Sequence, residues 1–454
     1  MSAPPTPKPA DRLLSVEEAR AAVLGAIAGP TDDEVVYLPE ARGRILAEDV
    51  MSLTALPPWD NSAMDGYAIR ASDVAAAGET EPVQLEVSGE VRAGSAPESE
   101  VVRGSAIRIA TGAPLPPGAD AVVQVELTTP ATADGAPAGE RGRDATGPLP
   151  AAVLVHAAVA AGASIRRAGN DLPEAETILR AGTSITPAAV ALAAGSGNET
   201  LRVHRRPRVG VLATGDEVRA VGRALGPAGI PDANGPGLMA LVEEAGGEPM
   251  TLGIAHDRLE DVRSRLKAAL IADVDAIIVS GGVSVGPYDV VRAAFAELGT
   301  MELWRVAVQP GKPFAFGTAE RRDGGRTLLF GLPGNPVSTF VTFELFVRPA
   351  IRRLAGLPDD RLVRPTDHAI LLDAASKSPG RRAFLRVVAE RDVSGAPIRD
   401  TEGRVRVRLA GGTSGQGSHV LSALAVADGL AIVPESTDTL AAGSPVDLWW
   451  LNRD

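Results

Sequence analysis

Four carboxylates, Asp216, Glu217, Asp232 and Asp289, stand in or beside loops whose composition suits a bound anion. In Ser280-Gly281-Gly282-Val283-Ser284-Val285-Gly286 the glycines let backbone N–H groups approach an anion with no Cβ in the way. That segment has neither the Walker spacing nor the dinucleotide fingerprint, and alone it reads equally as a strand-to-helix turn. In Pro333-Gly334-Asn335-Pro336 an asparagine at the N-cap and a proline at the first helical position predict a helix N-terminus, whose positive end favours negative charge. Alone, the same pair is an ordinary structural cap. Pro310-Gly311-Lys312-Pro313 carries a lysine on a stiffened loop, either a charge for a phosphate or a solvated side chain. The acids would repel a phosphate held by these loops. A Mg²⁺ ion bridging hard carboxylate and phosphate oxygens would reconcile them. Any one of the acids also reads as a solvated loop residue. Only their joint placement points to phosphoryl chemistry.

Two further polar clusters lie apart. Asp60-Asn61-Ser62-Ala63-Met64-Asp65-Gly66 is dense in turn-forming residues and reads as a domain junction or a site. Arg166-Arg167-Ala168-Gly169-Asn170-Asp171 sets two guanidinium groups beside a carboxylate, which suits a phosphate fork or a salt-bridged surface turn.

The composition narrows the chemistry. The chain has 454 residues, so several domains are expected. Its net charge of −12, with no long basic run, argues against nucleic acid. With no cysteine there is no disulfide, thiol nucleophile or zinc-thiolate site, and a soft metal would need sulfur ligands from a bound molecule. His156, His204, His256, His368 and His419 show no metal-ligand spacing. The Pro-rich start lacks the apolar stretch of a signal peptide, and no apolar run is long enough to span a bilayer, so a cytoplasmic location is expected.

Elements must hold these loops in place. Ser15-Val-Glu-Glu18 has capping-box spacing, with Val16, Val23 and Ile27 on one face of a helix. From about 52, short alternating segments such as 83–87, 107–109 and 121–125 predict a small β domain. The Ala/Gly/Pro-rich stretch 128–163 reads, in its first part, as a surface insertion in a β loop. From about 207 the pattern becomes βα: strands at 208–213, 249–254, 275–280, 301–308 and 327–331, and helices at 237–245, 258–271, 288–298 and from Asn335 onward. That alternation predicts a parallel sheet covered on both faces, with ligands outside the carboxyl ends of its strands. Short strands at 383–389, 404–409, 419–424, 430–433 and 446–451 predict a C-terminal β barrel or sandwich.

In chain order, Asp60–Ala68, Ile107–Pro114, Arg166–Asp171, Ala213-Thr-Gly-Asp-Glu217, Asp232-Ala-Asn234, Ser280–Gly286, Pro310–Gly317, Gly331–Ser338, Ser378-Pro-Gly-Arg381 and Gly417-Ser-His419 resemble the molybdopterin molybdenumtransferase family, MoeA, which includes the gephyrin E domain. The resemblance runs from about 12 to 450. Each motif is weak alone, and their shared order is what makes the match specific. It implies a multidomain α/β plus β protein. Domain I would be discontinuous (11–51 and 165–205), enclosing an inserted β domain (52–164). A pterin-binding, MogA-like parallel-sheet α/β domain (206–355) and a C-terminal β-barrel domain (356–454) would follow. A homodimer is implied, its active site a cleft between the α/β and C-terminal domains of one subunit, completed by the inserted domain of the other.

The implied reaction converts adenylyl-molybdopterin and molybdate, with Mg²⁺, to molybdenum cofactor and AMP. The resemblance casts Asp65, Asp171, Glu217, Asp289, Lys312 and Arg381 as catalytic. Substrate would be bound by Thr111, Arg166, Asp216, Asp232, Asn234, Ser280, Gly281, Gly282, Ser284, Gly311, Pro333, Gly334, Asn335, Pro336 and Ser418. The Mg²⁺ set would be Asp216, Glu217, Asp232 and Asp289, while Asp65, Thr111, Arg166 and Asp171 would come from the partner subunit. A molybdopterin adenylyltransferase and apo-molybdoenzymes are the implied partners, with no nucleic acid and no membrane. Two departures matter. Gln309 stands where many members carry a second lysine, which bears on molybdate against tungstate, and Asn170 stands where an acid often precedes the aspartate. Competing readings are an adenylyltransferase, a peptide-binding scaffold and a pterin-binding paralogue without turnover. The three extra domains and the Gly-Gly-Val-Ser loop, where adenylyltransferases carry Gly-Gly-Thr-Gly, oppose the first. No fused domain or long linker supports the second.

Overall fold

Strand Arg208–Thr214 is buried along nearly its whole length, as a strand in the middle of a doubly covered sheet must be. It lies in a seven-stranded sheet ordered Leu13–Leu14, Gly299–Val306, Pro313–Glu320, Arg326–Leu332, Ala276–Ser280, Arg208–Thr214, Glu248–Ala255. The computed structural model describes residues 13–143, 147–282, 290–321 and 324–451. Ser284 and Asp289 therefore lie outside the described residues.

The sheet is not wholly parallel. Pro313–Glu320 runs antiparallel to both of its neighbours. The sequence reading stopped at the Pro-Gly-Lys-Pro turn and missed this strand, whose Phe314 and Phe316 are buried in the core. Because Gly299–Val306 reverses direction twice relative to Arg326–Leu332, it still points the same way as the parallel strands. The 307–312 turn therefore emerges at their carboxyl edge, as expected.

Helices cover both faces. Asn234–Glu244 and a long helix from Pro336 to Leu354, interrupted by a π turn at Phe343–Val347, pack one side with Val209, Ile278 and Phe330. Leu259–Ile271 and Val290–Leu298 pack the other with Leu212, Ile277 and Leu329. Val16–Gly25 carries the expected capping box on Ser15 and Glu18 and buries Val16 and Val23 in the first of these cores. Its start is thereby fixed against the sheet.

Asp33–Tyr37 pairs with Thr200–His204, and Val50–Met51 with Thr177–Leu179, so segments far apart in sequence share one small core. Between them runs a six-stranded sheet: Ala121–Gln124, Gly66–Ile69, Ser105–Ile109, Val83–Val91, Ala152–Val155, Thr128–Ala131. The stretch 128–163, whose first part reads as a surface insertion, therefore supplies two strands, Thr128–Ala131 and Ala152–Val155, mostly buried. In Thr128–Ala131 an alanine and a proline weaken the strand signal, whereas Ala152-Val-Leu-Val carries a short apolar strand signal that the surrounding Ala/Gly/Pro-rich text masks.

At the C-terminus, Arg382–Ala389, Val405–Leu409, Thr366–Leu371, Ser444–Trp450 and Gly429–Val433 close into a five-stranded barrel, the last strand pairing back to the first. The sequence reading missed Thr366–Leu371 and took 419–424 for a strand. That stretch is the short helix Leu421–Ala425, whose Ala423 packs into the core beside the long helix. Arg364 ties the barrel to the sheet domain: Nε donates to Glu344 at 2.7 Å and Nη2 to Glu244 at 2.6 Å. No described helix is long and apolar enough to cross a membrane.

Candidate active site

Parallel register brings Ala213 beside Ser280 and Ser280 beside Leu332, so the loops that follow these strands meet at one edge. They enclose a cavity of about 770 Å³, within the range of small-molecule sites. Its wall includes Glu217, Asp232, Asn234, Ser280, Gly281 and Gly282. Pro333, Gly334, Asn335 and Pro336 form another part.

Side chains stitch the loops together. Asn234 Nδ2 donates to Ser280 Oγ at 2.6 Å and to the Gly334 carbonyl at 2.8 Å. Asp232 accepts from the Gly235 N–H at 2.8 Å, holding the start of the helix that Asn234 opens. Gly281 and Gly282 have φ of +96° and +65°, and a Cβ on either would strike Thr214 or Val291. Packing thus demands glycine there. One N–H is also committed, because Gly281 donates to the Leu332 carbonyl at 3.1 Å and not outward to an anion. The same holds at Gly311, where φ is +110° and a Cβ would lie 2.6 Å from Thr342 Cγ2.

Asn335 occupies the N-cap of the long helix with Pro336 at the first turn, as the sequence predicts, but its side chain makes no capping bond. Its amide reaches instead to Ser418 Oγ at 3.1 Å, and the Ser418 carbonyl accepts from Val337 N–H at 3.2 Å. The C-terminal domain is thus fastened to the rim of the cavity, and His419 enters its wall.

The carboxylates divide. Glu217 and Asp232 face the cavity, whereas the exposed Asp216 turns away: its Oδ1 lies 3.2 Å from His256 Nδ1 and 3.3 Å from Asp257 N. Asp257, on the wall, takes the place expected for Asp216. Burial, reinforced by repulsion from Asp216 and Glu217, raises the Asp257 carboxyl above its ordinary value. Such crowding of negative charge suits a cation. Among the described residues, however, no three acids or imidazoles form a ready metal cage. The donor set therefore fits Mg²⁺ held by one or two carboxylates together with substrate phosphate oxygens.

Lys312 and Arg381 lie outside that wall but near each other: desolvation, then the charges of Arg305 and Arg381, lower the Lys312 ammonium from its ordinary value. Gln309 is engaged, its Oε1 accepting from Ser378 N–H at 2.9 Å. Asp65, Thr111, Arg166 and Asp171 do not join the cavity within one chain. Asp65 Oδ1 accepts from Thr111 N–H at 2.7 Å and from its hydroxyl at 3.0 Å, beside a separate hollow lined by Glu90, Arg92 and Arg108. Among the described residues, Arg166 reaches only the Ala63 carbonyl, at 3.5 Å. The neighbouring Arg167 pairs with Asp60 at 2.5 Å, so half of the arginine pair is a salt-bridged turn.

The sequence reading missed Asp257 and His419 as site residues. Asp257 follows strand Glu248–Ala255, so the rule that ligands gather at carboxyl ends would have found it had that strand been read to its end. His419 stands in the Gly417-Ser-His419 motif, but no spacing to the other site residues marks it, because the fold alone brings the barrel to the sheet edge.

Three family models match in succession: "MoeA N-terminal region (domain I and II)" over 14–197, "Probable molybdopterin binding domain" over 210–353 and "MoeA C-terminal region (domain IV)" over 368–451. A molybdopterin molybdenumtransferase of Haemophilus influenzae is 34% identical over 96% of this chain and 98% of its own. Molybdopterin molybdenumtransferase 2 of Mycobacterium tuberculosis is 37% identical over 91% and 94%. The crystal structure of a molybdopterin biosynthesis MoeA protein from Pyrococcus horikoshii superposes with a TM-score of 0.75, at 29% identity, covering 97% of this chain and 99% of the other. Matched from the N-terminal helix to the last barrel strand, with a cavity where the second and third of those regions meet, the chain belongs to the molybdopterin molybdenumtransferase family of enzymes.

Proposed function

We propose that this enzyme inserts molybdenum from molybdate into adenylyl-molybdopterin, releasing AMP and requiring Mg²⁺. The observation that carries the reading is the cavity itself. Loops at the carboxyl ends of the sheet, a helix N-terminus and the Ser418–His419 arm converge on a space bounded by Glu217, Asp232 and Asp257. The helix start favours the substrate's phosphates. One or two of Glu217, Asp232 and Asp257 would hold Mg²⁺ together with the substrate's phosphate oxygens, and the ion would neutralise the pyrophosphate and polarise its phosphoryl oxygens. Ser280, Asn234 and Gly334 would orient the pterin. Lys312 and Arg381 would attract the oxyanion, and the dithiolene would supply the sulfur ligands that a cysteine-free chain lacks.

The reading extends to assembly. Val35, Tyr37, Met51, Leu53 and Trp59 are exposed around the segments 33–59, an apolar surface suited to self-association. A homodimer would bring Asp65, Thr111, Arg166 and Asp171 of one subunit to the cleft of the other. The domain limits 11–51 with 165–205, 52–164, 206–355 and 356–454 belong to the same proposal. So do a cytoplasmic location and encounters with a molybdopterin adenylyltransferase and apo-molybdoenzymes.

AMP release from adenylyl-molybdopterin tests it, measured with Mg²⁺ and with or without molybdate. Molybdate-dependent AMP release, and activation of an apo-molybdoenzyme by the product, is the expected result. Release with tungstate alone would move the metal choice and make Gln309 the lead. Binding without release would leave a pterin-binding scaffold.

A further inference from the structure

Arg386 is 1% exposed on strand Arg382–Ala389 of the barrel. Its Nη2 donates to the carbonyls of Gly415 at 2.8 Å and Gly417 at 3.1 Å. Among the described residues no carboxylate pairs with it, its buried Nε has no partner, and burial pushes the guanidinium down to about 10. A buried cation held only by carbonyl dipoles is expensive, and an apolar side chain of similar volume would serve a barrel interior at less cost. The charge therefore serves the loop it touches.

Gln416 grips the same place from the other side. Its Oε1 accepts from Arg386 N–H at 2.9 Å, and its Nε2 donates to the Arg386 and Ala410 carbonyls at 3.0 and 3.2 Å. Gly415 packs so tightly that a Cβ would fall 2.2 Å from the Ala410 carbonyl oxygen. From Gly417 the chain runs directly to Ser418, bonded to the start of the long helix, and to His419 on the cavity wall.

We propose that Arg386, acting with Gln416, is a positioning residue that clamps Gly415–Gly417 and so presents Ser418 and His419 to the substrate cavity. This rests on the reading that the cavity takes adenylyl-molybdopterin and the oxyanion. The clamp acts through geometry: a displacement of about 1 Å at such an arm can cost on the order of 10²-fold in rate.

The test uses the full-length enzyme as Arg386→Met and Gln416→Ala, the latter removing the clamp without disturbing a buried charge should the former fail to fold. Amide hydrogen exchange across 415–420 is expected to quicken at least about tenfold, with exchange of the barrel strands unchanged. Turnover should fall, and Ser418→Ala should cost much less in the Gln416→Ala background than in the unaltered enzyme, because both act through one contact. Unchanged exchange, or a Ser418→Ala cost equal in both backgrounds, would overturn the proposal. If the unaltered enzyme releases no AMP, the functional reading fails while the exchange measurement still decides the clamp.

Discussion

Asn335 Nδ2 donates to Ser418 Oγ at 3.1 Å, joining the first turn of the long helix to the C-terminal domain at the mouth of the cavity. The bond commits a potential capping side chain to a contact between domains. Asn335→Asp keeps the bridge by letting the Ser418 hydroxyl donate, but it places a negative charge where the proposed reading seats the substrate's phosphates. Thermal stability should hold, while substrate affinity falls by about 10²-fold or more, since like charges brought together cost several kcal/mol. Titration of adenylyl-molybdopterin against both proteins checks it. Equal affinities would show that the substrate's anionic end lies elsewhere.

Gln309 offers its Oε1 to Ser378 N–H, beside a loop that already gathers Lys312, Arg305 and Arg381. A lysine there could not accept that bond. Gln309→Lys should therefore lose about 1 kcal/mol of stability and lower the KM for molybdate severalfold by adding a cation. The two effects have opposite sign for function and folding. A denaturant melt and a molybdate titration on the same protein separate them, and a KM that stays constant would place the oxyanion away from this loop.

The Gln309 departure was visible in the sequence because a single residue breaks a motif. Likewise the Ser280 and Pro333 segments were found because each pairs a glycine or proline with a polar group at a strand end, and that chemistry is local. What stayed hidden was relational. The antiparallel strand Pro313–Glu320 depends on pairing across the sheet, and the helix Leu421–Ala425 on packing beside the long helix. Asp216 and Asp257 look alike in sequence. The fold decides between them, because the contacts to His256 and to Asp257 N hold Asp216 outward.

Asp257 carries a raised carboxyl, from burial first and then from Asp216 and Glu217. A raised folded-state value means that stability is greatest below the ordinary carboxylate range and declines as pH climbs through the raised value. Asp257→Asn should accordingly melt higher than the parent at pH 7 and match it near pH 3. Added Mg²⁺ should stabilise the parent more than the variant, because a cation relieves the repulsion only where the carboxylate remains. Turnover should fall by about 10²-fold. A variant that melts lower at pH 7 would show that Asp257 is a structural acid.

The opposite sign applies to Asp367 in the barrel. Arg399 binds it through both nitrogens, Nη2 to Oδ2 at 2.7 Å and Nη1 to Oδ1 at 3.2 Å, while Trp450 Nε1 donates at 3.0 Å. These bonds, Arg399 first, lower the carboxyl to about 2. A depressed folded-state value gives stability that is complete above the ordinary value and lost as pH falls through about 2. Asp367→Asn should thus cost on the order of 1–2 kcal/mol at pH 7, discounted for the partial exposure of the pair. Near pH 2, where the folded carboxyl is half protonated, the difference should be much reduced, and it should vanish below about pH 1. Because Trp450 contacts the carboxylate directly, tryptophan fluorescence during acid titration reports the event where it happens. Parallel acid-unfolding curves for the two proteins would show that another carboxylate anchors the barrel against acid.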